Sequence, residues 1–166
     1  MEKVRIPSVA GQFYDANPAA LKQTISYLVE SLPGDIQDKA GISNELVRAL
    51  VLPHAGYAYS ARTAIAALMT VRDFSVYRRI IILAPSHRVA FRGIACPDYD
   101  VFRTPSGDMA VDLDALAELA LLLPDLTVVS NEPHDNEHSL EVELPLLQYF
   151  AGNKDIIPLV CGQLGL

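Results

Sequence analysis

Four histidines are the residues of this chain best suited to proton transfer or metal ligation. His54 lies in Pro-His-Ala-Gly-Tyr directly after the apolar run 46–52, and His87 lies in Ala-Pro-Ser-His directly after the run 80–84. His134 and His138 follow the run 126–129, with the carboxylates Asp135, Glu137 and Glu141 beside them. In open α/β sheets ligands collect in the crevice beyond the carboxyl ends of strands. Were the three runs parallel strands, all four imidazoles would project from one edge. A mixed His/carboxylate set of this kind suits iron, zinc or manganese better than calcium, which takes oxygen ligands. A lone histidine after a strand is more often a hydrogen-bonded loop residue. What favours a site is the repetition at two strand ends and a helix start, since neither H-E-x-x-H nor a local H-x-[DE] is present.

Other chemistry has weaker footing. Ser86 beside His87 and Ser139 beside His138 could be nucleophiles only if each met its base in space, and the G-x-S-x-G elbow is missing. Neither G-x-G-x-x-G nor a P-loop occurs, which argues against nucleotide binding. Tyr57 and Tyr59 either line a pocket mouth or pack, and Cys96 and Cys161 read as small buried hydrophobes.

The elements that must position these groups alternate. Asn17-Pro18 caps a helix with Leu21, Ile25, Leu28 and Leu32 on one face, ending at Pro33-Gly34, and residues 35–45 read as polar loop. A buried strand is expected over 46–52 and a helix over 61–71. The β-branched run 80–84 suggests a strand covered on both faces. Further strands are expected over 93–97, 126–129 and 156–160, with a turn at Thr104-Pro105-Ser106-Gly107-Asp108. Asp112 caps a helix to Leu123 that is apolar around most of its circumference, so it belongs in the core, and 138–150 is a helix interrupted by Pro145. This alternation predicts an α/β fold with a mixed, largely parallel central sheet flanked by helices, as one domain over 1–166.

The 166 residues are 51% hydrophobic with a net charge of −7, which removes the basic footprint expected of a nucleic-acid or anionic-membrane partner. Two distant cysteines, no secretory h-region and no run near the roughly 20 residues of a membrane span point to a cytoplasmic protein.

Four segments occur in an order that resembles the Memo family, whose microbial members include AmmeMemoRadiSam system protein B. They are Val-Ala-Gly-Gln-Phe-Tyr at 9–14, Pro-His-Ala-Gly-Tyr-Ala-Tyr-Ser at 53–60, Ala-Pro-Ser-His at 84–87 and Glu-His-Ser-Leu-Glu-Val-Glu-Leu-Pro at 137–145. The turn at 104–108 followed by Val111-Asp112 resembles a fifth. The resemblance implies a fold like the LigB-like class III extradiol dioxygenases, which are non-haem iron enzymes. His54 and His87 match the metal-ligating histidines, His138 matches the acid–base histidine, and Asp135 falls where a pocket aspartate can stand. Tyr57, Ser86, His134 and Glu141 are candidate pocket residues. The expected cofactor is Fe(II), with zinc as the alternative. The family's third ligand candidate, a cysteine in some members, lies in a later segment. Its absence implies a chain lacking the C-terminal part, with His138 or Asp135 substituting and an uncovered apolar surface that favours a homo-oligomer. The role is not transferred to Cys161. Two other functions remain open: a binding or signalling module that takes a small molecule or peptide in the same pocket, and a zinc-dependent hydrolase. Animal members are linked to receptor signalling, and the family is associated with radical-SAM and AMMECR-type partners.

Overall fold

In a computed structural model, described here for residues 2–37 and 46–164, the chain forms two small sheets with helices packed around them. The first element after the short strand β1 (Val4–Arg5) is α1 (Pro18–Glu30). As the sequence predicts, Asn17 caps it, accepting from the amides of Ala19 and Ala20 at 2.9 and 3.0 Å, and Pro18 occupies the first turn where its missing N–H costs nothing. Leu21 and Ile25 face the core. The expected loop from 35 begins instead as a helical turn, α2 (Gly34–Gln37), and its remainder over 38–45 lies outside the described residues. α3 (Tyr57–Leu68) starts four residues before the periodicity suggested, with Gly56 at its cap and the Tyr57 amide donating to the Phe13 carbonyl.

The larger sheet is built from β2 (Arg79–Pro85), β3 (Ile94–Cys96), β6 (Thr127–Val129) and β7 (Asp155–Cys161), in the order β2-β7-β3-β6. β2 and β7 run parallel in register from Arg79 opposite Asp155 to Pro85 opposite Cys161. β3 is antiparallel to β7 and parallel to β6. Gly93, at φ +94°, opens β3 where a Cβ would stand 2.3 Å from the Leu126 carbonyl oxygen, so a side chain there would clash with the start of β6. The second sheet, β1-β4-β5, adds the hairpin β4 (Val101–Thr104) and β5 (Gly107–Ala110), whose turn is the one read at 104–108. The Asp112 amide donates to the Ile156 carbonyl and joins the two sheets. The class is therefore α/β with mixed sheets flanked by helices, as the alternation predicts.

Four expectations are corrected. Residues 46–52 form no strand: the segment runs past the free edge of β2 with a cleft between, so no ladder hydrogen bonds define it. β2 is not covered on both faces, since Ile81 and Leu83 are 62% and 64% exposed while their neighbours Ile157 and Leu159 on β7 are buried. α4 (Leu113–Leu122) has its predicted Asp112 cap but buries only Ala115 and Leu116, leaving Leu121 and Leu122 on the surface. Pro145 does not interrupt a helix over 138–150. It starts one: the short α5 (Glu132–Asp135) and a 3₁₀ turn over Glu141–Glu143 precede α6 (Leu144–Ala151), with Pro145 in its first turn. Among the described residues no helix is long and apolar enough to cross a membrane.

Candidate metal centre

Pairing directions overturn the geometric argument made from sequence. β6 is parallel to β3, and β3 is antiparallel to β7 and hence to β2, so the carboxyl ends of β2 and β6 lie at opposite ends of the sheet. His134, in the segment after β6, packs its ring against Phe102 and not against His87. It is buried beside β3 with Nε2 at 3.1 Å from the Ala95 carbonyl, and burial pushes its pKa down to about 4. By His138 the chain has crossed back through α5. Its neighbour Ser139 hydrogen-bonds the Pro85 carbonyl at 2.8 Å, at the end of β2.

Three imidazoles consequently meet. His87 and His138 stack with ring centres 4.7 Å apart, His54 and His87 are 5.2 Å apart, and His54 and His138 are 6.1 Å apart. His54 comes from the turn before α3, where Ser60 Oγ ties down the Ala55 carbonyl at 2.7 Å. His87 comes from the loop after β2, which Ser86 closes by donating to the Val89 carbonyl at 2.7 Å. Phe13 sets its ring edge-on to His138 at 5.0 Å.

Glu137 organises the group from below. Its buried Oε1 accepts from His87 Nδ1 and from the amides of His138 and Ser139, each at 2.9 Å, and Oε2 accepts from the His87 amide at 2.6 Å. Burial opposes ionisation of this carboxyl, but the donors from His87 and Ser139 outweigh it and hold its pKa down at about 2. An ionised carboxylate only accepts, so His87 Nδ1 must carry its hydrogen and Nε2 is left as the free lone pair. His138 Nδ1 is buried 3.3 Å from Oε1 and has no hydrogen-bond partner; protonation of the ring would make the contact an ion pair. Burial and then the neighbouring imidazoles lower the pKa of both His54 and His138, apart from a contrary pull by Glu137. The His87, Glu137 and His138 donor atoms lie within 4.8 Å of one another, close enough for one ion. Imidazoles sharing an ion bound at ~2.0–2.1 Å hold their ring centres roughly 4.5–6 Å apart. The His87–His138 and His54–His87 separations fall in that range, and the 6.1 Å between His54 and His138 lies just beyond it. His54 stands outside the group of atoms that already lie within 4.8 Å of one another.

The remaining candidates are elsewhere. Asp135 is exposed and accepts from the Tyr99 hydroxyl at 2.5 Å. Tyr57 is buried against Tyr14, and its hydroxyl donates to the Val142 carbonyl at 3.0 Å. Glu141 is fully buried in a separate network with Arg5, Ser8, Val9 and Tyr14. Sequence reasoning treated Glu137 only as a nearby carboxylate and missed its part in orienting His87. The one local signal was its place immediately before His138.

The family model described as Memo-like protein matches residues 5–165. The chain is 32% identical over 155 residues to a MEMO1 family protein of Methanothermobacter thermautotrophicus, covering 93% of this chain and 56% of the relative. It is 35% identical over 164 residues to one of Aeropyrum pernix, covering 95% and 57%. To the protein memo-1 homolog of Caenorhabditis elegans it is 34% identical over 165 residues, covering 98% and 44%. The chain thus spans about half the length of these relatives.

Proposed function

The chain belongs to the Memo-like protein family, and from that premise we propose that His54, His87 and His138 form a non-haem metal site for iron(II). The observation that carries this reading is the convergence of three imidazoles from three separate segments, one of them held by a buried carboxylate through its far ring nitrogen. Donation of the second ring N–H to a carboxylate is the usual outer-shell arrangement of a metal-ligating histidine, since it fixes the tautomer and raises ligand basicity. The orphaned Nδ1 of His138 supports the same assignment, because a buried polar atom without a partner otherwise has no compensation for leaving water.

His54 and His87 are the ligands. His138 either completes the set or carries a proton, with Glu137 balancing its charge once protonated. Iron(II), when bound, would supply Lewis acidity and a redox centre for dioxygenase-like chemistry on a small molecule. His87 is half-exposed, so a ligand can approach from solvent. Asp135, tied to Tyr99, is left out of this mechanism. We also place the protein in the cytoplasm, in keeping with its two free cysteines.

Anaerobic loading followed by metal analysis tests the assignment. One equivalent of iron(II) is expected in the native chain, with affinity at least about tenfold weaker in His54→Ala and in His87→Ala. Stoichiometric metal unaffected by either substitution would overturn it. Preferential retention of zinc, together with chelator-sensitive ester hydrolysis, would move the reading to a zinc hydrolase using the same imidazoles.

A further inference from the structure

The loop between β2 and β3 carries His87 and, next to it, Arg88. Its backbone is fastened at both ends. The Ser86 amide donates to the Cys161 carbonyl at 2.9 Å, and the Gln163 amide donates to the Phe91 carbonyl at 2.8 Å. Gly162 allows that second approach, because a Cβ there would stand 2.3 Å from the Phe91 carbonyl oxygen. Between these anchors the Ser86 hydroxyl bonds both the carbonyl and the amide of Val89, closing a turn with Arg88 at its apex. Arg88 is exposed, and among the described residues its guanidinium makes no hydrogen bond or ion pair. It is within electrostatic reach of the imidazole group: after burial, Glu137 and the other two rings, the Arg88 charge is a further influence on His138, opposing a proton there.

With the imidazoles neutral, a divalent ion and Arg88 outweigh the single carboxylate of Glu137, which leaves a positive site in a chain of net charge −7. The overall field of such a chain repels anions, so an anion is drawn in only where cations stand together. The donors left over decide which anion fits. Phosphate sites gather several backbone N–H groups. Here the amides of Ser86, His87, Val89, His138 and Ser139 already donate within the protein. What remains is one guanidinium fork, the match for the two oxygens of a carboxylate. Resting on the iron(II) reading above, we propose that the site takes a small organic acid, one end among the imidazoles and a further carboxylate paired with Arg88. Arg88 is then the residue that sets specificity, selecting substrates by that second charge.

The test is anaerobic calorimetry on the iron(II)-loaded chain, with metal content measured first and malate as the probe. Malate offers a hydroxy acid to the imidazole end and a second carboxylate to Arg88, whereas lactate has the first group without the second. Arg88→Gln should weaken malate binding at least about tenfold and leave lactate binding and metal content unchanged. Arg88→Lys keeps the charge but loses the fork, and should restore part of the malate affinity. Arg92→Gln removes an equal charge from an exposed position of the same loop and should leave malate binding intact. Phosphoglycolate, with a phosphate in place of the second carboxylate, should bind no more tightly than malate. Failure of malate to bind the native chain, malate affinity unmoved by Arg88→Gln, equal losses for malate and lactate, equal effects of Arg88→Gln and Arg92→Gln, or tighter binding of phosphoglycolate would each overturn the proposal. A native chain that retains no metal would overturn the iron(II) reading and this inference with it; metal retained in full beside any of those results overturns this inference alone.

Discussion

Glu137 and Glu141 lie four residues apart on one buried segment, and their surroundings are close to opposite. Glu141 receives Arg5 Nη1, the Ser8 amide and hydroxyl at 2.8 Å, the Val9 amide at 3.0 Å and the Tyr14 hydroxyl at 2.6 Å. Each of those donors is structural, and together they fasten the N-terminal strand to the segment before α6. Arg5 spends its other N–H groups on the carbonyls of His134 and Glu137. Glu137 is equally well supplied with amides, but one of its donors is an imidazole whose second nitrogen stays open. Burial of a carboxylate thus says nothing by itself about function. What distinguishes the two is whether a partner keeps a free valence. Glu143, two residues further on, is the third case: buried, and with one oxygen lacking any partner.

The largest expected effect tests the structural member of the comparison. Glu141→Gln leaves the Arg5 guanidinium buried against a neutral group, so urea denaturation should show a loss of about 3–5 kcal/mol, with metal stoichiometry of the folded fraction unchanged. A loss of metal at intact stability would reverse the two roles. Glu143→Gln should act through pH. The carboxyl has its folded pKa near 8 against an ordinary 4.5, so its protonated form contributes stability that is complete below pH 4.5 and lost as pH rises through 8. The variant should therefore gain on the native chain across that window, reaching of order 3–5 kcal/mol in unfolding free energy by denaturant titration at alkaline pH. Equal pH dependence of the two proteins would show that Glu143 is not held neutral.

A smaller change probes one donor of the Arg5–Glu141 network. Tyr14→Phe removes a hydrogen bond to a buried charge and should cost about 1.5–3 kcal/mol by thermal or urea unfolding. The functional member is probed by Glu137→Gln, which keeps shape but presents an NH₂ where an acceptor is needed. Iron(II) affinity should fall about 10–100-fold, an effect of ~1.4–2.8 kcal/mol, in a calorimetric or competition titration. An unchanged isotherm would mean that Glu137 only caps backbone.

Local signals were well read from sequence and non-local ones were not. The Asn17-Pro18 start of α1 and the Asp112 cap of α4 are set by side chains within three residues of the amides they bind, so sequence places them. The run 46–52 has strand composition, but a strand exists only when a neighbour supplies the ladder, and here a cleft stands in its place. Periodicity cannot show that β3 runs antiparallel to β7, so the carboxyl ends of β2 and β6 point to opposite ends of the sheet. α4 is apolar enough for a core and yet is half exposed, because burial depends on what packs over it. His54, His87 and His138 converge as their motifs suggested, although by a different route from the parallel sheet edge. Asp135 is instead exposed and tied to the Tyr99 hydroxyl.

The central proposal is that His54 and His87, with His138 beside them, hold one metal ion. X-ray absorption at the metal edge of the iron(II)-loaded chain tests it most directly. The account predicts outer-shell scattering from two to three histidine rings, with one ring lost in His87→Ala. A shell made only of oxygen ligands, or a spectrum unmoved by that substitution, would contradict it.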